Sequence, residues 1–370
     1  MIRVMSVHHL ARLLASALFA CALASISFAQ ETPSPAPADI SEADSPFSIG
    51  PVEYRSARGF KFGESGLTIG GFATFEFVRP RSGRSEFEID GPNVLALYEP
   101  IEPVSSFAEL EIGNLFAWEP GSSVESSAKA HFEQLHAEYR SGDAFNIRLG
   151  KFQSPVGRWN MVPAEPFVWT PTQPVMLEVG LGEESHTGAE IFGSFYPEAH
   201  VAKYWIYGQF TNSFDLERDE NPPNRGVGGR VEYGESRGAW SLGGSLLASG
   251  KNGEWSTLGG LDQKMRVGER LELSSELLVS GGDLPGRDFW GVFVESVYPL
   301  DAFSPKLATL YCVGRAEHFD PSFDSSLEIF DGGFAWRPRD CLLLKASYRF
   351  LNHEIEQVSS GLIVSVSVIF

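Results

Sequence analysis

Apolar and polar residues alternate with period two along most of this chain, and helical periodicity is nearly absent. The last ten residues show the pattern most plainly. Counting back in twos from Phe370 gives Val368, Val366, Val364 and Leu362, an unbroken apolar face, while Ser367 and Ser365 stand on the other face with Ile369 and Ile363. A strand sends alternate side chains to opposite faces, so one face meets an oily medium and the other can meet water. An ordinary half-buried sheet strand carries the same mark, so repetition along the chain has to decide between the two.

From Leu67 onward the pattern repeats in segments of about 10–14 residues. Leu67–Val78 sets Ile69, Gly71, Ala73, Phe75 and Phe77 against Thr68, Thr74 and Glu76. A poorly patterned second segment lies within Glu86–Leu97. Phe107–Ala117 sets Leu110, Ile112 and Phe116 against Glu109 and Glu111. Ser126–Arg140 sets Leu135, Ala137 and Tyr139 against Gln134, His136 and Glu138. Ala144–Phe152 follows, and then an irregular stretch, Gln153–Ser185. The alternation resumes in His186–Phe195, His200–Asn212, Arg225–Tyr233, Gly238–Ser249, Glu254–Val267, Arg270–Ser280, Arg287–Tyr298, Pro305–His318, Ser326–Trp336, Asp340–Leu351 and the closing strand.

Two features distinguish these segments from a soluble sheet. The apolar faces end in aromatics, as in Leu342, Leu344, Ala346, Tyr348 and Phe350, or Trp290, Val292, Val294 and Tyr298, or Tyr204, Ile206 and Phe210. The opposite faces carry charge at mid-strand, where it is tolerable only if water reaches it. Connections also alternate in length. Short turns such as Tyr196-Pro197-Glu198-Ala199 and Arg337-Pro338-Arg339 alternate with longer, polar, often acidic loops such as Phe214–Asn224. Short periplasmic turns and long outer loops are the habit of outer-membrane barrels. The expected fold is therefore all-β, a 16-stranded antiparallel transmembrane β-barrel spanning residues 65–370, with both ends periplasmic. Fourteen strands is the count if the weak segment near Glu86–Leu97 is not real, because parity requires an even number. Sixteen strands enclose an aqueous lumen, whereas eight would be filled by side chains.

Composition narrows the setting. Residues 1–29 read as a secretory signal peptide, with Arg3 and Arg12 early, an apolar run from Leu13 to Ala24, and a small-x-small site at Ser27-Phe28-Ala29. Leu18-Phe19-Ala20-Cys21 is a poorer lipoprotein site, since the apolar run continues past Cys21. Residues 30–64, with Pro33, Pro35, Pro37 and Pro46, read as a periplasmic linker without regular structure. Beyond the signal, 27 basic residues face 48 acidic ones, a net charge of −21, which disfavours nucleic acid as a partner. Cys312 and Cys341 fall on strands placed two apart, so no disulfide is expected. No metal site and no cofactor are expected either, since no histidine stands at a suitable spacing from the two thiols.

The stretch 153–185 is far longer than a typical connection. It holds Trp159, Met161, Phe167, Trp169, Val175, Met176 and Leu177, stiffened by five prolines. Such a loop has to pack on something, and in a wide barrel the interior wall is available. As the third outer loop it would then narrow the pore; folding across the rim or onto a neighbouring subunit is the alternative.

The run Arg148-Leu149-Gly150-Lys151-Phe152-Gln153-Ser154-Pro155-Val156-Gly157-Arg158-Trp159-Asn160 resembles the strand-to-loop segment of bacterial porins of the phosphate-selective porin O and P type and their relatives. The resemblance extends loosely from Leu67 to Phe370. It implies a 16-stranded, trimeric diffusion channel with the third loop at the constriction. Phosphate selectivity does not carry over, because it needs a ladder of basic residues and the chain has only eight lysines.

The candidate constriction residues are Arg148, Lys151 and Arg158 facing Glu165, Glu178, Glu183 and Glu184. Candidate lumen-wall residues are Lys203, Arg230, Lys264, Arg266, Lys345 and Arg349 among the bases and Glu109 and Glu111 among the acids, with Glu76, Glu138, Glu190, Glu232, Glu272, Glu276 and Glu295 further acidic positions. Basic residues on one wall against acids on a loop set up a transverse field that orients polar solutes. For each of them a solvated or ion-paired wall residue without effect on selectivity is the plainer role. The expected function is an outer-membrane porin of a Gram-negative cell, a homotrimeric passive channel for small hydrophilic solutes such as anions or neutral polar molecules. A non-conducting structural barrel is the alternative. An outer-membrane barrel enzyme is disfavoured, since the histidines are scattered and no Gly-x-Ser-x-Gly nucleophile stands with a fitting partner.

Overall fold

A computed structural model describes residues 47–370 apart from Asn114 and residues 122–127, 163–164, 182–183, 212–222, 285–286, 322–325 and 354–357. The signal segment and Pro33, Pro35, Pro37 and Pro46 of the lead-in lie outside the described residues, as do Glu183 and most of the acidic loop 214–224.

Each alternating segment becomes a strand because its backbone donors and acceptors find partners on both sides. The strands are β1 Leu67–Pro80, β2 Glu86–Ile101, β3 Val104–Gly113, β4 Lys129–Arg140, β5 Asn146–Gln153, β6 Ser185–Phe195, β7 His200–Thr211, β8 Arg225–Glu235, β9 Trp240–Lys251, β10 Glu254–Val267, β11 Leu271–Gly282, β12 Phe289–Pro299, β13 Leu310–Asp320, β14 Leu327–Arg339, β15 Leu342–Leu351 and β16 Gly361–Ile369. Each pairs antiparallel with the next, and β16 returns to β1 with Leu362 opposite Arg79 and Val368 opposite Ala73. The sixteen strands form a closed barrel without a lateral edge, the only way a sheet can stand in hydrocarbon.

The closing seam depends on one glycine. The C-terminal Phe370 donates its N–H to the Gly71 carbonyl at 2.8 Å, and Gly71 donates back at 2.9 Å. A Cβ on Gly71 would stand 2.2 Å from the Asn93 carbonyl oxygen and 2.8 Å from the Phe370 ring, so only glycine lets the terminal aromatic seat there. On the buried face of the same seam the Thr74 and Ser367 hydroxyls meet at 3.0 Å.

The weak second segment is real, giving the expected sixteen strands, and is the longest strand of the barrel, at 16 residues. Its alternation is broken by a bulge: Thr74 pairs with Gly91 and Phe75 with Ile89, so Asp90 is skipped and the faces exchange there. Four other features differ from the sequence expectation. The third strand stops at Gly113 and resumes as Phe116–Trp118. The thirteenth begins at Leu310 rather than Pro305, because Pro305 opens a short 3₁₀ turn whose Lys306 N–H is capped by the Ser304 hydroxyl. Arg337-Pro338-Arg339 is the bulged end of β14 and not a turn, Pro338 occupying a place where no ladder donor is needed. Finally, residues 47–62 are not featureless. They form strands Phe47–Ile49, Val52–Arg55 and Gly59–Phe62, a small meander that pairs onto β1 through Phe60 and Ile69; Pro51 stands in the turn between the first two, and the local alternation of Val52-Glu53-Tyr54-Arg55 follows it. Cys312 and Cys341 are both free.

The two faces of the barrel are inverted relative to a soluble protein. Leu246 and Val231 are each 64% exposed and Ile206 57%, whereas Arg230, Arg315, Glu190, Asp331 and Lys345 are all 2% exposed or less. Soluble folds bury the first kind and expose the second. Aromatic side chains gather toward the strand ends: Tyr233 packs on His200 and Trp240, and Phe195 stacks on Tyr204 at 5.9 Å.

Candidate functional site

The buried face is not uniformly polar, and this locates the site. Along β9, β11, β12, β13 and β14 the inward positions alternate charge or hydroxyl with bulk: Ser245 with Leu247, Glu276 with Leu278, Glu295 with Phe293, Glu317 with Phe319, and Asp331 with Ile329. All ten are buried. The β5–β6 connection, residues 154–184, covers the apolar members. Its Val156, Val175, Met176 and Leu177 are fully buried in one cluster with Leu247, Leu258, Leu278, Phe293, Phe319 and Ile329. Burying each such side chain contributes about 1.5–3 kcal/mol, enough to hold an otherwise irregular segment in place.

Polar anchors fix where that segment sits. The Glu276 carboxylate accepts the Arg158 backbone N–H at 2.8 Å and also that of Trp159, the first residue of the 3₁₀ turn Trp159–Met161. Glu317 accepts the Val175 and Met176 N–H groups at 3.0 and 2.5 Å, at the start of the π-helix Met176–Leu181. The first N–H groups of a helical turn have no partner within the turn and carry its positive end, so a carboxylate placed there satisfies both demands. Gly157 makes the first contact possible. Its φ is +70°, and a Cβ would lie 2.3 Å from a Glu276 carboxylate oxygen.

A third anchor grips the stretch 170–173. Arg315 donates to the Thr170 hydroxyl and the Thr172 carbonyl, both at 2.9 Å, and to the Gln173 carbonyl at 3.2 Å. Lys345 donates to the Thr170 carbonyl at 3.1 Å, and Arg349 donates to the Thr172 hydroxyl. Asp331 sits between the two guanidinium groups, 2.6 Å from Arg315 and 2.9 Å from Arg349. These are charge-assisted bonds among buried groups, where a misplacement leaves a charge unpaired.

The expected constriction residues are distributed as follows. Arg148 pairs at 2.7 Å with Glu138 on β4 and with Glu190 on β6, both wall acids. Lys151 is buried on β5. Arg158 lies on the connection, donates to Ser241, and stands 3.5 Å from Glu232 and 3.9 Å from Asp262. Glu178 is exposed on the π-helix; Glu165 opens the 3₁₀ turn Glu165–Phe167, its side chain lying outside the description. Glu184 accepts from Gln173 within the connection at 3.0 Å. Wall bases hold loop carbonyls and hydroxyls and the loop base Arg158 faces wall acids, while the loop carboxylate of Glu178 acts electrostatically on the wall base Arg349.

Among the wall candidates, Arg230 is clamped on Asp262 by two bonds of 2.5 and 2.8 Å. Lys203 meets Glu232 at 3.3 Å and Lys264 meets Glu272 at 2.7 Å, while Arg266 is exposed at the end of β10. Glu109 accepts from Gln134 at 2.9 Å, and Glu111 lies 3.8 Å from His131. Sequence reasoning missed Asp262, Arg315, Glu317 and Asp331. Their signal was present, since Arg315 and Glu317 share a parity, but Val313 and Phe319 share it too.

One pair has the look of an active site. The Ser154 hydroxyl and His186 Nε2 are 3.0 Å apart, yet both residues are 0% exposed and Tyr207 stacks on the imidazole at 5.2 Å. A nucleophile sealed in this way meets no substrate; the pair ties the start of the connection to the start of β6.

No family model matches the chain, and no curated protein does. Solved structures do. An anion-selective porin from Comamonas acidovorans is 15% identical, covering 82% of this chain and 99% of its own, with a TM-score of 0.58. Salmonella typhi OmpF, solved with daunomycin, is 12% identical over 83% of this chain and 98% of its own, with a TM-score of 0.55. In-vitro folded OmpT, an outer membrane protein of Vibrio cholerae in a trimer form, is 9% identical over 82% and 99%, with a TM-score of 0.52. The chain has the fold of outer-membrane porins.

Proposed function

We propose that this protein is an outer-membrane porin, a passive diffusion channel for small hydrophilic solutes, and that the β5–β6 connection lies within the lumen as its constriction. The observation that carries the reading is the inversion of the two faces around a closed sixteen-stranded sheet: apolar side chains point to lipid, and charged ones line a water column. The anchoring of residues 156–181 to inward side chains supports the constriction, and Arg148, Lys151, Arg158, Glu178 and the wall charges would set its field. The homotrimer is inferred by analogy with the trimer form of the matched V. cholerae protein. Within the porins, the Arg148–Asn160 segment favours relatives of the phosphate-selective O and P type, without their phosphate preference. The location is the Gram-negative outer membrane, reached by the signal segment, and no enzymatic role is proposed.

Reconstitution into planar bilayers tests this. Stepwise, ohmic conductance in proportion to salt is expected. A sealed structural barrel is the second reading, favoured by the depth of apolar packing beneath β9–β14; silence from folded, heat-modifiable protein would establish it.

A further inference from the structure

The inward wall of β3 and β4 carries a cluster that the loop anchors do not use. Glu111 on β3 faces His131 across the ladder. His131 Nε2 lies 2.7 Å from a Glu133 carboxylate oxygen and 3.8 Å from one of Glu111, and one ligand atom from each residue lies within 4.8 Å of the others. The side chains are neither sealed nor freely solvated, at 16–22% exposure, so an ion in the lumen can reach them.

The backbone explains how three donors converge. Glu109 pairs with Gln134 and Leu110 with Phe132, so Glu133 is an extra residue in β4. Glu133 and Gln134 therefore both turn from the lipid side. Gln134 satisfies Glu109 at 2.9 Å, and Glu133 is left to join His131. Bulges of this kind re-aim a side chain at sites that bind. Without the extra residue one of the two would point into lipid.

We propose that Glu111, His131 and Glu133 form a binding site for a divalent transition-metal ion, of which zinc is the type. One imidazole with two carboxylates is a borderline donor set suited to zinc; magnesium and calcium prefer six or more oxygens. Ligands at 2.0–2.2 Å around a tetrahedral ion stand roughly 3.4 Å apart. The present spacings of 2.7 and 3.8 Å bracket that value, and all three ligand atoms lie within 4.8 Å of one another, so rotamer adjustments on the order of 1 Å bring the three onto one ion. Two carboxylates this close repel each other, and a dication removes the repulsion. The fourth position opens to the lumen and would hold water. Spacing along the chain does not reveal the site, since His131 and Glu133 are only a pair until the register places Glu111 opposite them.

Equilibrium dialysis of the folded full-length protein in detergent against micromolar zinc chloride, with excess magnesium present, tests the site. Because it reads binding rather than current, its failure and a failure of the channel reading are separate outcomes. The expected result is about one zinc per chain, with affinity falling on the order of tenfold or more in His131→Ala and in Glu133→Gln and unchanged in His353→Ala, an exposed histidine just past the end of β15. X-ray absorption on the wild type guards against a folding defect in the variants: nitrogen and oxygen ligands near 2.0–2.2 Å are expected, and a sulfur shell near 2.3 Å would assign the metal to a cysteine and overturn the proposal. Equal retention by wild type and His131→Ala would overturn it as well.

Discussion

Glu276 on β11 and Glu317 on β13 make the same contact with the β5–β6 connection at its two ends: each places a carboxylate beneath two successive backbone N–H groups where a short helical turn begins. The connection is held at the starts of its helical turns, where unpaired donors and partial positive charge coincide. Between them, Arg315, Lys345 and Arg349 hold the opposite kind of group, carbonyls and hydroxyls. A segment without repeating structure thereby acquires a fixed position.

Replacing Glu317 by Gln keeps the shape but removes the charge and one acceptor oxygen. We expect a loss of about 1–3 kcal/mol at that anchor, read as faster proteolysis near Val175 and as larger current fluctuations, with the barrel itself still heat-modifiable. Proteolysis and noise identical to the wild type would show that the capping bonds do not hold the segment.

Gly157→Ala strikes the other anchor by two routes, a disfavoured positive φ and a Cβ 2.3 Å from Glu276. Gly238 has a similar φ of +76° with nothing within 4 Å, so Gly238→Ala measures the backbone cost alone, about 1–2 kcal/mol. The Gly157 variant should exceed it in loosening the connection, as judged by hydrogen exchange at Arg158 and Trp159. Equal, silent behaviour of both variants would contradict the contact.

What the sequence made legible follows from this packing. Where every inward residue is polar, as in Gln134, His136 and Glu138 against Leu135, Ala137 and Tyr139, the contrast between faces is sharp and both strand and orientation are readable. Where the connection covers the wall, the inward face also needs bulk. Leu278 then sits between Leu277 and Val279, and Val313 and Phe319 flank Arg315 and Glu317. Period-two contrast fades there, which is why Arg315, Glu317 and Asp331 escaped notice. The Asp90 bulge hid β2 in a different way, by exchanging faces mid-strand. The pairing of Arg148 with Glu138 and Glu190 was unreadable because it depends on register between strands rather than on spacing within one.

Asp331 pairs with two buried guanidinium groups at once. Asp331→Asn leaves both short of a counter-charge, and a cost of about 3–5 kcal/mol is expected. Guanidinium unfolding of the detergent-folded protein should show a lowered midpoint. A midpoint unchanged from the wild type would mean that lumen water solvates the pair.

Leu246, 64% exposed at the middle of β9, separates a lipid face from a solvent face. On a soluble surface Leu246→Arg would be nearly neutral. In hydrocarbon it costs about 2–4 kcal/mol, and folding into lipid vesicles should fall accordingly, with Leu246→Val close to wild type. Equal folding yields for the arginine and valine variants would remove the lipid from this face.

Single-channel recording of a variant lacking residues 156–175 bears most directly on the constriction. If those residues stand in the water column, the remaining barrel is wider at its narrowest point, and unitary conductance rises severalfold over the full-length chain in the same salt. Conductance equal to that of the intact protein would place the segment away from the path of the ions.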